Sequence, residues 1–146
     1  MSPETIFSLC TKLVLPGWLL LVFAPRWRWS ARVVSAVVAP LTLAVVYAYL
    51  VAAHFGRSEG GFGSLADVGR LFQNQHALLA GWIHYLAFDL FVGAWEVRDA
   101  QRVGLHHLLV VPCLVLTFLF GPAGLLLYFL LRWAVRREFF VGGETS

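Results

Sequence analysis

The chain has 146 residues, 60% of them hydrophobic and 13% charged, with a mean hydropathy of +0.76 and a formal charge of +3. This balance excludes an ordinary water-soluble domain, which needs far less apolar side chain. The positive charge comes largely from arginines at the ends of apolar runs, where they meet lipid phosphates, so it does not indicate nucleic-acid binding.

Four apolar runs, Ile6–Ala24, Val33–Ala53, Ala77–Trp95 and Leu108–Leu131, are each close to the roughly 20 residues that about 30 Å of hydrocarbon requires. No short alternating segments suggest a barrel, so the backbone must satisfy its own hydrogen bonds as helices. A soluble bundle would need polar outer faces, which Leu43–Ala53 and Leu125–Leu131 lack. The expected fold is all-α: a polytopic membrane protein, one domain over 1–146, with four transmembrane helices and both chain ends on one side. The first run lacks the preceding basic residues and small-residue cleavage site of a secretory signal, so it is expected to be retained.

Pro25-Arg26-Trp27-Arg28-Trp29-Ser30 marks an interfacial turn, since indole rings and guanidinium groups favour the headgroup level. Pro40, inside the second run, predicts a kink. The long connection His54–His76 opens with Gly56, Gly60, Gly61 and Gly63; Ser64, with Asp67 three residues on, then caps an amphipathic segment carrying Leu65, Val68, Leu71 and Phe72. A short interfacial helix between spans two and three is expected. Glu96–His107 continues the third helix beyond the bilayer or links it to the fourth run. Gly121-Pro122 predicts a kink within that run, and a basic tail follows Arg132. Counting arginines on this scheme, Arg26, Arg28, Arg32, Arg98 and Arg102 oppose Arg57, Arg70, Arg132, Arg136 and Arg137, nearly a tie under the positive-inside rule. Cys10 and Cys113 make neither a metal motif nor a disulfide framework, and no phosphate loop, Ser-His-Asp order or zinc spacing is present.

The third run holds the chemistry. His84 and Asp89 lie at hydrocarbon depth, where a carboxylate costs about 2.5–3.5 kcal/mol on insertion scales and so faces protein or a wet cavity. Five residues separate them by roughly 140° around a helix, so each needs a partner from elsewhere. Asp89 shares a stripe with Trp82, Tyr85 and Glu96, an aromatic face with acidic groups below it that suits a long, flat, apolar ligand. Gly93 leaves room for that ligand or for a neighbouring helix. The bland alternative is that both polar groups are interhelical hydrogen-bond glue. Lys12 is a possible ion-pair partner for Asp89 or Glu96, although a lysine near a span end more often snorkels to the headgroups. His106 and His107 offer a metal site by ligand type alone, with solvated interfacial histidines as the plain alternative.

Trp82-Ile83-His84, Asp89-Leu90-Phe91, Asp99 and Gly121-Pro122-Ala123-Gly124-Leu125-Leu126 together resemble the neoxanthin-synthase-like family, small membrane proteins named for a plant abscisic-acid-deficiency locus. The similarity runs over nearly the whole chain. It implies chemistry on a carotenoid end group, in plants the conversion of violaxanthin to neoxanthin in plastid membranes. The compact form here resembles a bacterial member, which places it in a bacterial inner membrane without fixing violaxanthin as substrate. Opening an epoxide to an allenic alcohol is an isomerisation: an acid protonates the epoxide oxygen, a base removes a proton from the polyene, and no cofactor is required. A dry pocket favours the protonated carboxylic acid that such a step uses.

The resemblance implies His84, Asp89, Glu96 and Asp99 as the acid–base set, with Asp89 as acid and His84 as base or the reverse. Trp82, Tyr85, Phe88, Gly93 and Pro122 are the expected ligand contacts. Two other classes stand beside the isomerase: a non-catalytic carotenoid-binding protein, and a metal- or haem-binding protein using His84, His106 and His107. The expected partners are the bilayer, an apolar small molecule and further copies of the chain.

Overall fold

The computed structural model describes residues 1–27, 29–54, 56 and 59–137, without the side chains of 31–33. Arg28, Arg57, the Arg32 side chain and the tail from Glu138 lie outside that description. Among the described residues every regular element is a helix. Helix α1 (Pro3–Phe23) starts on Ser2, whose hydroxyl accepts from the Thr5 amide at 3.3 Å, with Pro3 in the first turn where its missing N–H costs nothing. The turn after it is closed by Ser30, which donates to the carbonyls of Ala24 and Trp27, both at 2.9 Å.

The second helix begins with wide π-type turns over Ser30–Val38 and becomes α-helical as α2 (Ala39–His54). The Val34 amide reaches back five residues to Trp29 at 2.8 Å, and the Ala39 amide likewise to Val34. Pro40 has no amide to give and its ring would crowd a carbonyl one α-turn back, so the register changes at the proline. The expected disruption is present, as widened turns. Ser35 in the π-type segment donates to the Gly17 carbonyl at 3.0 Å, tying the start of the second helix to α1.

Helix α3 (Leu65–Leu71) carries the predicted cap: Ser64 Oγ accepts from the Asp67 amide at 3.1 Å and donates to the Asp67 carboxylate at 2.7 Å. Helix α4 (Gln75–Arg102) starts on Asn74, whose Oδ1 accepts from the amides of His76 and Ala77. Its 28 residues span about 42 Å, more than a hydrocarbon core. It is the central post, packed against α1, both parts of the second helix and the two helices that follow. Contacts along it fix the layout. Helix α1 runs alongside in the same sense, with Thr11 at Trp82, Trp18 at Gly93 and Pro25 at Gln101. Helix α2 runs the other way, with Tyr47 at His84 and His54 at His76.

Helices α1, α4 and the second helix over Val34–His54 are long and apolar enough to cross a membrane. The fourth apolar run differs from expectation. It is two helices, α5 (His107–Phe120) and α6 (Pro122–Arg136), reversing at Gly121 rather than kinking there. At about 21 and 22 Å neither matches the hydrocarbon thickness. In a continuous helix residues 117 and 124 would stand about 10 Å apart. A Cβ placed on Gly124 would instead lie 2.1 Å from the Thr117 amide nitrogen, so the chain has folded back on itself. Helix α5 climbs from the end of α4, Gly121 lies against Asp89, and α6 descends beside α4 until Tyr128 and Arg132 meet Asp99. Arg136 then donates to the Gly104 carbonyl at the foot of α4. The single fourth span over 108–131 is thus corrected to a helical hairpin whose two ends lie together. Tyr128, Arg132 and Arg136 end up near the Pro25 turn, away from the chain start.

Candidate functional site

The hairpin covers one side of α4, and along that side the structure gathers a column of polar groups. Tyr85 donates to the Phe118 carbonyl at 3.1 Å and also interacts with Asp89 one turn on. Asp89 is 8% exposed and sits beneath Gly121; a Cβ there would come 2.7 Å from Oδ1, and the glycine also holds φ +46°. Seven residues further, Glu96 is fully buried and accepts from Thr117 Oγ1 at 2.9 Å. One oxygen of each carboxylate, Asp89 Oδ2 and Glu96 Oε2, is buried with no hydrogen-bond partner.

Asp99 closes the column differently. Tyr128 donates to its Oδ2 at 2.7 Å, Arg132 pairs with the same oxygen at 2.9 Å, and Arg102 bonds Oδ1 at 2.7 Å. Tyr128 and Arg132 are both buried, and the Arg132 contact is ionic rather than a well-aligned hydrogen bond. Both oxygens of Asp99 thus carry a donor or cation, two of them from α6, which makes it a fastening for that helix.

The other expected site residues fall elsewhere. His84 is exposed, stacked on Phe88 at 4.5 Å and near Tyr47 at 5.7 Å, on a different side of α4 from Asp89. The structure does not bring the two together. Phe88 points outward at 58% exposed. Trp82, at the rim of the α1 contact, stacks on Tyr85 and donates to Thr11 Oγ1 at 3.2 Å. Gly93 leaves space that is already filled: a Cβ would meet the Trp18 ring at 2.7 Å, so its bareness serves helix packing. Pro122 opens α6, exposed, where its missing amide is harmless. Lys12 is exposed and takes part in none of the ion pairs among the described residues.

The grouping of His84 with His106 and His107 as metal or haem ligands is also corrected. His84 lies roughly 27 Å up α4 from the turn that bears the other two. His107 Nε2 is occupied with the Val22 carbonyl at 2.9 Å. Among the described residues no three His, Cys, Asp or Glu side chains converge as a metal ion would need.

Thr117, Tyr128 and Arg132 are the site residues that sequence reasoning missed. Their signal was Gly121-Pro122: read as a reversal, it returns Tyr128 and Arg132 to the end of α4 where Asp99 sits.

Three long apolar helices, with a column of buried carboxylates between α4 and the hairpin, define a polytopic helical membrane protein with ionisable groups turned inward. A family model described as ABA DEFICIENT 4-like matches residues 5–128, and the chain belongs to that family, as the motifs of the third and fourth runs implied. The chain is 25% identical over 145 residues to Protein ABA DEFICIENT 4, chloroplastic, of Arabidopsis thaliana, an alignment covering 93% of this chain. It spans 64% of that relative's length. No solved structure matches.

Proposed function

We propose that this protein binds a carotenoid in a bacterial inner membrane and isomerises an oxygenated end group with Asp89 and Glu96 as its acid and base. The observation that carries this reading is the pair of orphaned carboxylate oxygens, Asp89 Oδ2 and Glu96 Oε2. Buried polar atoms are nearly always partnered, and a catalytic role is one of the few physical reasons for an exception. Thr117 fixes Glu96 from one side, leaving its second oxygen to take or hold a proton. Glu96 replaces His84 in the pair because it shares the hairpin-facing side of α4 with Asp89. An acid protonates the epoxide oxygen as the ring opens, and a base takes a polyene proton, so atoms and electrons balance within the molecule. Gly121 covers Asp89, so the end group reaches it as the hairpin tip lifts.

The test is pigment analysis in a carotenoid-producing host expressing the protein or its Asp89→Asn and Glu96→Gln variants. Loss of product in both variants, at unchanged membrane accumulation and melting temperature, is the expected result. An unchanged product profile overturns the catalytic reading.

A second reading, pigment binding without turnover, is favoured by a cleft of about 540 Å³ between α1 and α2. Ile6, Leu9, Val45 and Leu50 line it, with Tyr49, His54 and His76 also in its wall. Pigment that copurifies equally with the wild type and both carboxylate variants, with no new product, supports this reading over catalysis.

The hairpin also bears on topology, and we read the chain as crossing three times, with α5 and α6 entering and leaving by one face. Arg26, Arg98, Arg102, Arg132, Arg136 and Arg137 then gather at one end, against Arg70 at the other among the described residues. The near tie of the four-span scheme becomes a clear bias, and the positive-inside rule puts the arginine-rich end in the cytoplasm.

A further inference from the structure

A second cleft, of about 930 Å³, opens at the arginine-rich end between the foot of α1, the end of α4 and the start of α5. Its walls are held by two hydrogen bonds. Gln101 Nε2 donates to the Pro25 carbonyl at 2.6 Å, and His107 Nε2 meets the Val22 carbonyl at 2.9 Å. The mouth carries Arg26, His106, His107, Gln101 and the Trp27 indole, and none of the lining residues is acidic. Beneath it the buried lining is apolar, with Val97, Ala100 and Leu105.

Val22 also belongs to a further groove, of about 350 Å³, that continues between α1 and α5. There Leu15, Leu19, Leu114, Val115, Trp18 and Phe118 present no polar surface at all. From Pro25 to Leu15 the path along α1 is about 15 Å, half of the roughly 30 Å hydrocarbon thickness. A cationic mouth at headgroup level above an apolar slot one leaflet deep has the dimensions of a single lipid. A long polyene with polar groups at both ends would need the other leaflet as well.

We infer that this cleft binds one anionic phospholipid, with the phosphate at Arg26 and His106 and an acyl chain along α1 and α5 as far as Trp18 and Phe118. Charge complementarity selects the headgroup, because each basic group at the membrane surface adds affinity for an anionic lipid and little for a zwitterionic one. The cytoplasmic leaflet, where the arginine-rich end is placed, is also where anionic lipids concentrate. The inference does not depend on carotenoid chemistry, since Asp89 and Glu96 are absent from both parts of the cleft.

Native mass spectrometry of the purified protein, titrated separately with phosphatidylglycerol and phosphatidylcholine in detergent, tests it. The expected result is a one-to-one phosphatidylglycerol adduct, roughly fivefold tighter than its phosphatidylcholine counterpart, the preference that one surface arginine gives. The double variant Arg26→Gln/His106→Gln should bring the two lipids level, and Val115→Trp, which fills the slot, should weaken both. Arg70→Gln, at the far end of the molecule, should change neither. Equal binding of the two lipids by the wild type, or a headgroup preference that survives Arg26→Gln/His106→Gln, overturns the proposal. So does a copurified pigment, in place of lipid, that Val115→Trp displaces. Melting temperatures measured alongside separate loss of the site from loss of the fold, and Arg26→Gln/His106→Gln alters only exposed side chains.

Discussion

Replacing Gly124 with alanine places the added methyl 2.1 Å from both the Thr117 amide nitrogen and Oγ1, and 2.5 Å from Thr117 Cα. Two of these neighbours are backbone, which cannot swing aside as a side-chain tip can. To restore ordinary contact the two arms of the hairpin must part by about 1 Å near their tip, a strain of overpacking worth about 1–3 kcal/mol. Thr117 Oγ1 moves with its arm, so its 2.9 Å bond to Glu96 lengthens beyond hydrogen-bonding range. Losing a hydrogen bond to a charged group adds about 1.5–3 kcal/mol. The expected destabilisation is therefore about 2.5–6 kcal/mol. Reversible unfolding in mixed micelles, followed by circular dichroism and tryptophan emission, measures it. The control is Gly69→Ala in α3, where an added Cβ meets nothing within 4 Å. That change should be neutral or stabilising by up to about 1 kcal/mol through helix propensity. If Gly124→Ala unfolds within about 0.5 kcal/mol of the wild type, the range of ordinary surface changes, the folded-back hairpin is wrong.

The Asp99 fastening predicts a graded series. Arg132→Met leaves a buried carboxylate short of its buried cation and should cost about 3–5 kcal/mol in the same assay, whereas the half-exposed Arg102→Ala should cost less than about 1 kcal/mol. Tyr128→Phe removes one charged hydrogen bond and should fall between them, at about 1.5–3 kcal/mol. A flat series would show that Asp99 does not hold α6. His84→Ala, an exposed change on the side away from the hairpin, should leave the pigment profile of the carotenoid-producing host unaltered; loss of product would return His84 to the reacting pair. Single cysteines at Arg26 and Arg137, introduced after replacing Cys10 and Cys113, should label from the same face of sealed vesicles and a cysteine at Arg70 from the other. Labelling of Arg26 and Arg137 from opposite faces would restore a fourth crossing.

The first two apolar runs, and the start of the third, locate their helices to within a few residues because length and hydropathy decide whether a helix can span, whereas α4 continues seven residues past Trp95. The Ser64 cap of α3 was equally legible, since it needs only two residues at a fixed offset. The fourth run misled for a physical reason. Hydropathy measures preference for oil over water, and a chain that reverses in oil scores the same as one that crosses it. Gly121-Pro122 marked the place correctly, but a kink and a reversal share that dipeptide; what separates them is the pairing of Glu96 with Thr117 and of Asp99 with Arg132. Helical periodicity placed Asp89 and Glu96 on one stripe, where both orphaned oxygens are found. It gave His84 a different bearing and could not say which bearing faced the interior, because His84 has aromatic neighbours in sequence and in space. In the sequence Gly93 signals only room for a ligand or a neighbouring helix, and the Trp18 ring occupies that room.

The hairpin sets an order of events during synthesis. When α4 leaves the ribosome, Asp99 has Arg102 and Asp89 has Tyr85 on the same helix, but Glu96 gains its partner, the Thr117 hydroxyl, with α5. Arg132, the buried cation that meets Asp99, emerges about thirty residues later, beyond the reversal at Gly121. Until α6 doubles back, Asp99 lacks both Tyr128 and Arg132, so nearly the whole described chain must be made before the interior can close.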